Sequence, residues 1–165
     1  MIRPIQDLRF AARAAAFAAY TSGTLLRFEI ESRGHDQEGC ERLIREAMRR
    51  HGRHMCKLYG IEVHGAGVPR EGFVPGRDAL GKGRVFVANH RSGLDILITL
   101  ALLEGKHVSR ADLANWPVVG KISRRAGILF VDRENRRSAA AVVSTMIERV
   151  EHGTAVIIFP EGTTY

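Results

Sequence analysis

Ala155-Val156-Ile157-Ile158-Phe159 is an unbroken apolar run, and it directly follows a helical apolar pattern that Asn135 opens and Gly153 closes. A short run rich in β-branched side chains, with no polar residue on alternate positions, reads as a strand buried on both faces. Strands of that kind belong to sheets whose faces are covered by helices, so the run constrains the chain to a layered α/β fold.

The alternation recurs upstream. Residues 61–64 read as a first short strand, 65–83 as a loop, and 84–88 as a buried strand. Residues 94–103 then form an apolar helix and 107–110 a short strand. Residues 116–125 read as a helix with Pro117 in its first turn, where the missing N–H costs little, and 128–131 as a strand. In the helix capped by Asn135, residues Ala139, Val142, Val143, Met146, Ile147 and Val150 make one apolar face. The expected fold class is α/β, a sheet flanked by helices and preceded by N-terminal helices. A chain of 165 residues that is 45% hydrophobic is large enough to bury such a core.

The N-terminal part differs in character. Residues 10–26 are apolar but alanine-rich, and they include Arg13, Thr21, Ser22, Gly23 and Thr24. This is too weak for a transmembrane helix, and Asp7 and the diffuse apolar core argue against a cleaved signal peptide. A surface-lying or packed helix is expected. Residues 37–59 form a second helix, with Ile44, Ala47, Met48, Met55 and Leu58 on its apolar side. Arg45, Arg49, Arg53 and Lys57 recur every fourth residue, a stripe suited either to anionic headgroups or to plain solvent. Residues 1–60 are therefore read as basic amphipathic helices that associate with a membrane, and 61–165 as a separate α/β unit.

Cys40, His51, His54 and Cys56 are zinc-ligand types, but their spacing fits no zinc motif, and no metal is expected. The two cysteines lie about four helical turns apart, too far for a disulfide. The formal charge of +7 favours an anionic partner: a membrane, a phosphorylated substrate, an acidic carrier protein or nucleic acid. The last is set aside, because no base-stacking or helix-turn-helix motif accompanies the charge.

The chemistry concentrates after three strands. In Asn89-His90-Arg91-Ser92-Gly93-Leu94-Asp95, a histidine and an aspartate five residues on can form a base and its orienting carboxylate. On a regular helix five residues leave side chains roughly 140° apart, so His90 must sit in the turn before the helix. Ser92 is placed as the N-cap, with Asp95 closing a capping box. His107 and Asp112 have the same separation without that setting, and replacing His107 is expected to be nearly silent. The run 127–133 delivers Arg133 at a strand end, where a guanidinium can grip phosphate. Phe159-Pro160-Glu161-Gly162-Thr163 ends another strand with a carboxylate beside a glycine.

In this order the three runs resemble the 1-acylglycerol-3-phosphate acyltransferase family of glycerolipid acyltransferases, over about residues 85–163. Asn89, His90, Ser92 and Asp95 look like its first block, Gly127 through Phe130 to Arg133 its second, and Phe159 to Thr163 its third. The resemblance implies that His90 deprotonates a glycerolipid hydroxyl, that Asp95 supports the imidazole, and that the oxygen attacks an acyl thioester. It further implies that Arg133, Glu161, Gly162 and Thr163, with Arg110 as a looser match, bind the acceptor. The implied partners are a membrane lysophospholipid and acyl-CoA or acyl carrier protein, with no bound cofactor, at the cytoplasmic face of a membrane. A lyso-aminolipid acceptor and a catalytically silent lipid-binding module are the alternatives. The family pattern continues to a fourth apolar block, so the chain is read as the N-terminal part of a longer enzyme.

Overall fold

The computed structural model describes residues 3–66, 74–132 and 134–162, with side chains from residue 8 onward. Two helices lead: α1 (Arg3–Glu31) and α2 (Gln37–Tyr59). An α/β unit follows, comprising β1 (Val85–Val87), α3 (Leu94–Leu102), β2 (Lys106–Arg110), a 3₁₀ turn (Ala111–Asn115), α4 (Val119–Arg125), β3 (Leu129–Val131), α5 (Arg136–Glu151) and β4 (Val156–Ile158). All three strand pairs are parallel, in the order β1-β4-β2-β3.

The last strand in sequence is thus an interior one. Val156 pairs with both Val85 and Lys106, and Val156 and Ile157 have no exposed surface. An uninterrupted apolar run is what such a doubly covered position requires. β1 differs from expectation: it is an edge strand, with Val85 51% and Val87 64% exposed. Three apolar residues fit an edge as well as a centre, and only the pairing decides.

Other boundaries moved for local reasons. Residues 61–64 form no strand; a short alternating run becomes a strand only where a neighbour takes up its hydrogen bonds. Asn135 caps α5 as expected, its side chain accepting from the N–H groups of Arg137 and Ser138. On that helix Ala139, Val142, Met146 and Val150 are half-buried, while Val143 and Ile147 of the expected apolar face are exposed. Helix α4 begins at Val119, because Val118 has φ +61° and the Val119 N–H closes a tight turn onto the Pro117 carbonyl at 2.6 Å. That left-handed backbone cannot continue into a helix.

The helices meet at a close crossing. A Cβ on Gly52 of α2 would lie 2.6 Å from the Ala101 nitrogen and 2.8 Å from the Leu97 carbonyl oxygen, so only glycine lets α2 rest on the backbone of α3. Met55 and Cys56 of α2 pack there against Leu97 and Ala101. Thr21, Thr24, Leu25 and Phe28 bury the second half of α1, whereas Leu8 and Phe10 in its first half are 71% and 76% exposed. Both cysteines are free thiols. Cys40, His51, His54 and Cys56 are dispersed: His51 lies against Phe17 and Tyr20, His54 stacks on Tyr20, and Cys56 is in the core.

His51 and His107 are both buried, and burial first, then a neighbouring histidine, pushes each pKa from 6.5 down to about 4. Between those values the unfolded chain binds more protons than the folded one. Stability is therefore complete above about pH 6.5 and is lost as pH falls toward about 4, on the order of 3 kcal/mol for each histidine. Urea denaturation across this range should show that decline, and His51→Phe should flatten part of it; a stability independent of pH there would contradict the burial of neutral histidines.

Candidate active site

The parallel sheet directs the C-terminal ends of β1, β4 and β2 to one edge, and open α/β sheets bind ligands outside the carboxyl ends of their strands. His90 follows β1 by three residues, Phe159 follows β4 immediately, and Arg110 ends β2. The Ala88 N–H bonds to the Ile158 carbonyl at 3.1 Å, extending the β1–β4 ladder and carrying the His90 loop up to the third sequence block.

His90 Nδ1 lies 3.2 Å from Asp95 Oδ2. That oxygen also accepts the Arg91 N–H at 2.7 Å and the Ser92 N–H at 2.8 Å, so the Asp95 carboxylate closes the turn that holds His90. Asp95 therefore fills both roles available to it, partner of His90 and capping carboxylate. The expected capping box is altered in one respect: the helix N-cap is Gly93, and Ser92 Oγ accepts from the Leu94 N–H rather than from that of Asp95. Burial alone would raise the Asp95 pKa, but the Ser92 and Arg91 N–H groups and His90 outweigh it and hold the carboxyl below its usual range. With an ionised acceptor facing it, Nδ1 carries the imidazole proton, which leaves Nε2 as the basic nitrogen.

Phe159 stacks on His90, with ring centroids 4.4 Å apart and planes 25° from parallel. Beyond Phe159, Pro160 and Glu161 are exposed, and the Gly162 N–H returns to the Phe159 carbonyl at 3.1 Å, so the third block is a tight turn. Asn89 is exposed beside His90. Gly127 has φ +71° in the turn into β3 and its carbonyl accepts from Arg149 at 2.8 Å; Phe130 is half-buried on β3. Arg133 and Thr163 lie outside the described residues.

Arg110 does reach the same edge, but its guanidinium is engaged bidentately by Asp112 at 2.9 Å on both nitrogens. This explains why the second histidine–aspartate spacing makes no pair: Asp112 belongs to Arg110. Arg110, Asp112, Asp132 and Glu134 line a groove beyond the ends of β2 and β3. The Arg45, Arg49, Arg53 and Lys57 stripe lies elsewhere, lining a groove with Tyr20, His54 and Glu104 at the far end of α3, where Arg45 pairs with Glu104 at 3.0 Å. Among the described residues no group of three or more His, Cys, Asp or Glu is placed to hold a metal ion.

Two residues near the site have no part in it from sequence: Thr99 is not singled out, and His107 enters only as a second histidine–aspartate spacing. His107 is 3% exposed and its ring lies 6.2 Å from that of Phe159, while Thr99 of α3 sits 2.8 Å from His107 Nε2. The available signal was Thr99, a polar residue within the apolar helix α3, since a buried polar group demands a partner; β2, Lys106-His107-Val108-Ser109-Arg110, gives His107 no such signal.

Residues 60–165 match the Acyltransferase family. Over 77 residues the chain is 36% identical to a lyso-ornithine lipid O-acyltransferase of Rhizobium meliloti (strain 1021), covering 47% of this chain and 26% of that protein. Over 82 residues it is 33% identical to a 1-acyl-sn-glycerol-3-phosphate acyltransferase of Neisseria gonorrhoeae, covering 50% of this chain and 32% of that protein. The matched stretches thus span about a third or less of these curated relatives. The fold is similar to that of the 1-acyl-sn-glycerophosphate (LPA) acyltransferase PlsC from Thermotoga maritima, with a TM-score of 0.66 at 23% identity, covering 96% of this chain and 60% of that one. The family match takes in the whole α/β unit, including the His90–Asp95 turn and the Phe159 turn beside it, and on this ground the chain belongs to the Acyltransferase family.

Proposed function

We propose that this chain carries the catalytic base of an O-acyltransferase that moves a fatty acyl group from acyl-CoA or acyl carrier protein to the hydroxyl of a lysophospholipid-type acceptor, such as 1-acylglycerol 3-phosphate, in phospholipid biosynthesis. The observation that carries this reading is the His90 Nδ1–Asp95 contact, on a carboxylate tied down by two further N–H groups at the C-terminal edge of the parallel sheet. In this reading Nε2 takes the proton of the acceptor hydroxyl as its oxygen attacks the thioester carbonyl. The new C–O bond forms, the C–S bond breaks, and the imidazolium returns the proton to the departing thiolate. Asp95 stabilises the imidazolium between the two steps, and its depressed pKa keeps it ionised to do so.

His90→Ala is expected to lower lysolipid-dependent thiol release by about 100- to 10,000-fold, and Asp95→Asn by less, because an amide still accepts from Nδ1 but carries no charge. Full activity of His90→Ala in the full-length protein would sink the mechanism; lipid binding without turnover in the unaltered full-length protein would support a silent binding module instead.

For the acceptor, Arg133, Glu161, Gly162, Thr163 and Arg110 are assigned to the glycerol phosphate portion. Arg133→Ala should then raise the KM for lysophosphatidate about tenfold with little change in kcat, because a remote phosphate contact contributes binding rather than chemistry. One observation favours a second reading. Asp112, Asp132 and Glu134 line the groove in which Arg110 is already paired, a setting that suits an acceptor bearing an ammonium group. A higher kcat/KM for lyso-ornithine lipid than for lysophosphatidate, with Arg133→Ala without effect, would move the assignment to the aminolipid.

The site is placed at the cytoplasmic face of a membrane, reached through α1. Among the described residues no helix is long and apolar enough to cross a membrane, yet Leu8 and Phe10 stand exposed on the half of α1 that packs least. Replacing both with glutamate should weaken binding to phosphatidylglycerol-containing vesicles about tenfold or more; unchanged binding would remove α1 from the membrane contact.

A further inference from the structure

We propose that His107, which has no part in the transfer chemistry, is a positioning residue that holds His90 and Asp95 in register from behind. The inference rests on the reading of His90 as the base, and it begins with a hydrogen-bond ledger.

Thr99 has one hydroxyl proton. Its Oγ1 lies 2.9 Å from the Asp95 carbonyl and 3.1 Å from the Ile96 carbonyl, so the proton goes to the first turn of α3. The contact at 2.8 Å between Thr99 Oγ1 and His107 Nε2 must then be donated by the histidine. This fixes the tautomer: Nε2 is protonated, and Nδ1 keeps a lone pair that is buried with no partner among the described residues. A phenylalanine in this place would bury no such nitrogen. Stability alone therefore gives a weak reason for a histidine here, while the Thr99 bond gives a specific one.

Through that bond β2 grips the helical turn that carries Asp95. The ring itself completes the brace. His107 and His90 both stack with Phe159, at 6.2 and 4.4 Å, their planes 22° and 25° from it. One end of β2 thus fixes the aspartate through Thr99 and the histidine through Phe159, so the two halves of the pair are referred to one rigid strand. Burial keeps His107 neutral, its pKa down at about 4, so it adds no charge to oppose the imidazolium formed on His90.

Two variants separate the two arms of the brace. Thr99→Val removes the acceptor while keeping the shape, and His107→Phe keeps a ring while removing the donor. In each, kcat should fall about tenfold with the acceptor KM within about twofold, as expected for a small misplacement of the base. Thr99→Ser should restore kcat, which a loss of packing would not allow. The second readout does not depend on turnover: imidazole nitrogen NMR, with His90 identified by loss of its signals in His90→Gln. The unaltered chain should show His90 predominantly protonated at Nδ1, and Thr99→Val and His107→Phe should shift it toward a mixture of tautomers. Folded variants with unchanged kcat and an unchanged His90 tautomer would overturn the proposal. An unaltered chain with no turnover on any lysolipid would instead count against the acyltransferase reading, and the tautomer shift would still decide the brace.

Discussion

The site depends on where β4 enters the sheet. β1 has no strand partner among the described residues except β4, so the strand that leads into the His90 loop is held in the sheet by the Val85–Val156, Phe86–Ile157 and Val87–Ile158 register and the Ala88–Ile158 hydrogen bond that extends it. The same insertion sets Phe159 against the His90 ring. It also places β4 beside β2, and thereby His107 behind both. A strand about 70 residues further along the chain than His90 is thus what completes the surroundings of His90. Parallel pairing makes this arrangement possible, because it brings the C-terminal ends of three strands to one edge.

That dependence explains what was legible in the sequence. The apolar run of β4, the Asn135 cap and the periodicity of α2 are local signals, and the structure reproduces each of them. The His90–Asp95 pair was legible because both members lie in one turn. Edge and centre were not legible, since among the described residues β1 has a strand on one side only, which leaves Val85 and Val87 exposed, and no property of three apolar residues records that. The late start of α4 reflects one backbone angle at Val118, a residue whose β-branched side chain gives no hint of a left-handed conformation. The burial of His107 was not legible for a related reason: a polar residue in a short strand acquires its partner only when helix α3 is folded over it.

Charge is divided between the two ends of α3. At its N-terminus the carboxylate of Asp95 faces His90; past its C-terminus Glu104 pairs with Arg45 in the cation-lined groove of α2. The formal +7 therefore does not describe the reaction edge, where Arg110 is matched by Asp112 and further carboxylates lie close by. In the proposed function, with a thioester donor, an anionic membrane and His90 as the base, the two ends need different fields. A basic face attracts a surface over about a Debye length, roughly 8–10 Å at physiological salt, whereas proton transfer at His90 needs one nearby carboxylate and few competing charges.

Helix α3 also joins the two functions mechanically. Asp95 sits in its first turn, and Leu97 and Ala101 on the same helix contact the backbone gap left by Gly52 of α2. A glycine crossing of this kind places backbone against backbone, and it has less freedom to slide than an interface of long side chains. In the proposed function, α1 lies on the membrane and α2 rests between it and α3. Whatever orientation the surface imposes on α1 is then passed through α2 to the helix that carries Asp95. Membrane attachment would in that case set the direction from which an acceptor hydroxyl meets Nε2, as well as the local concentration of lipid.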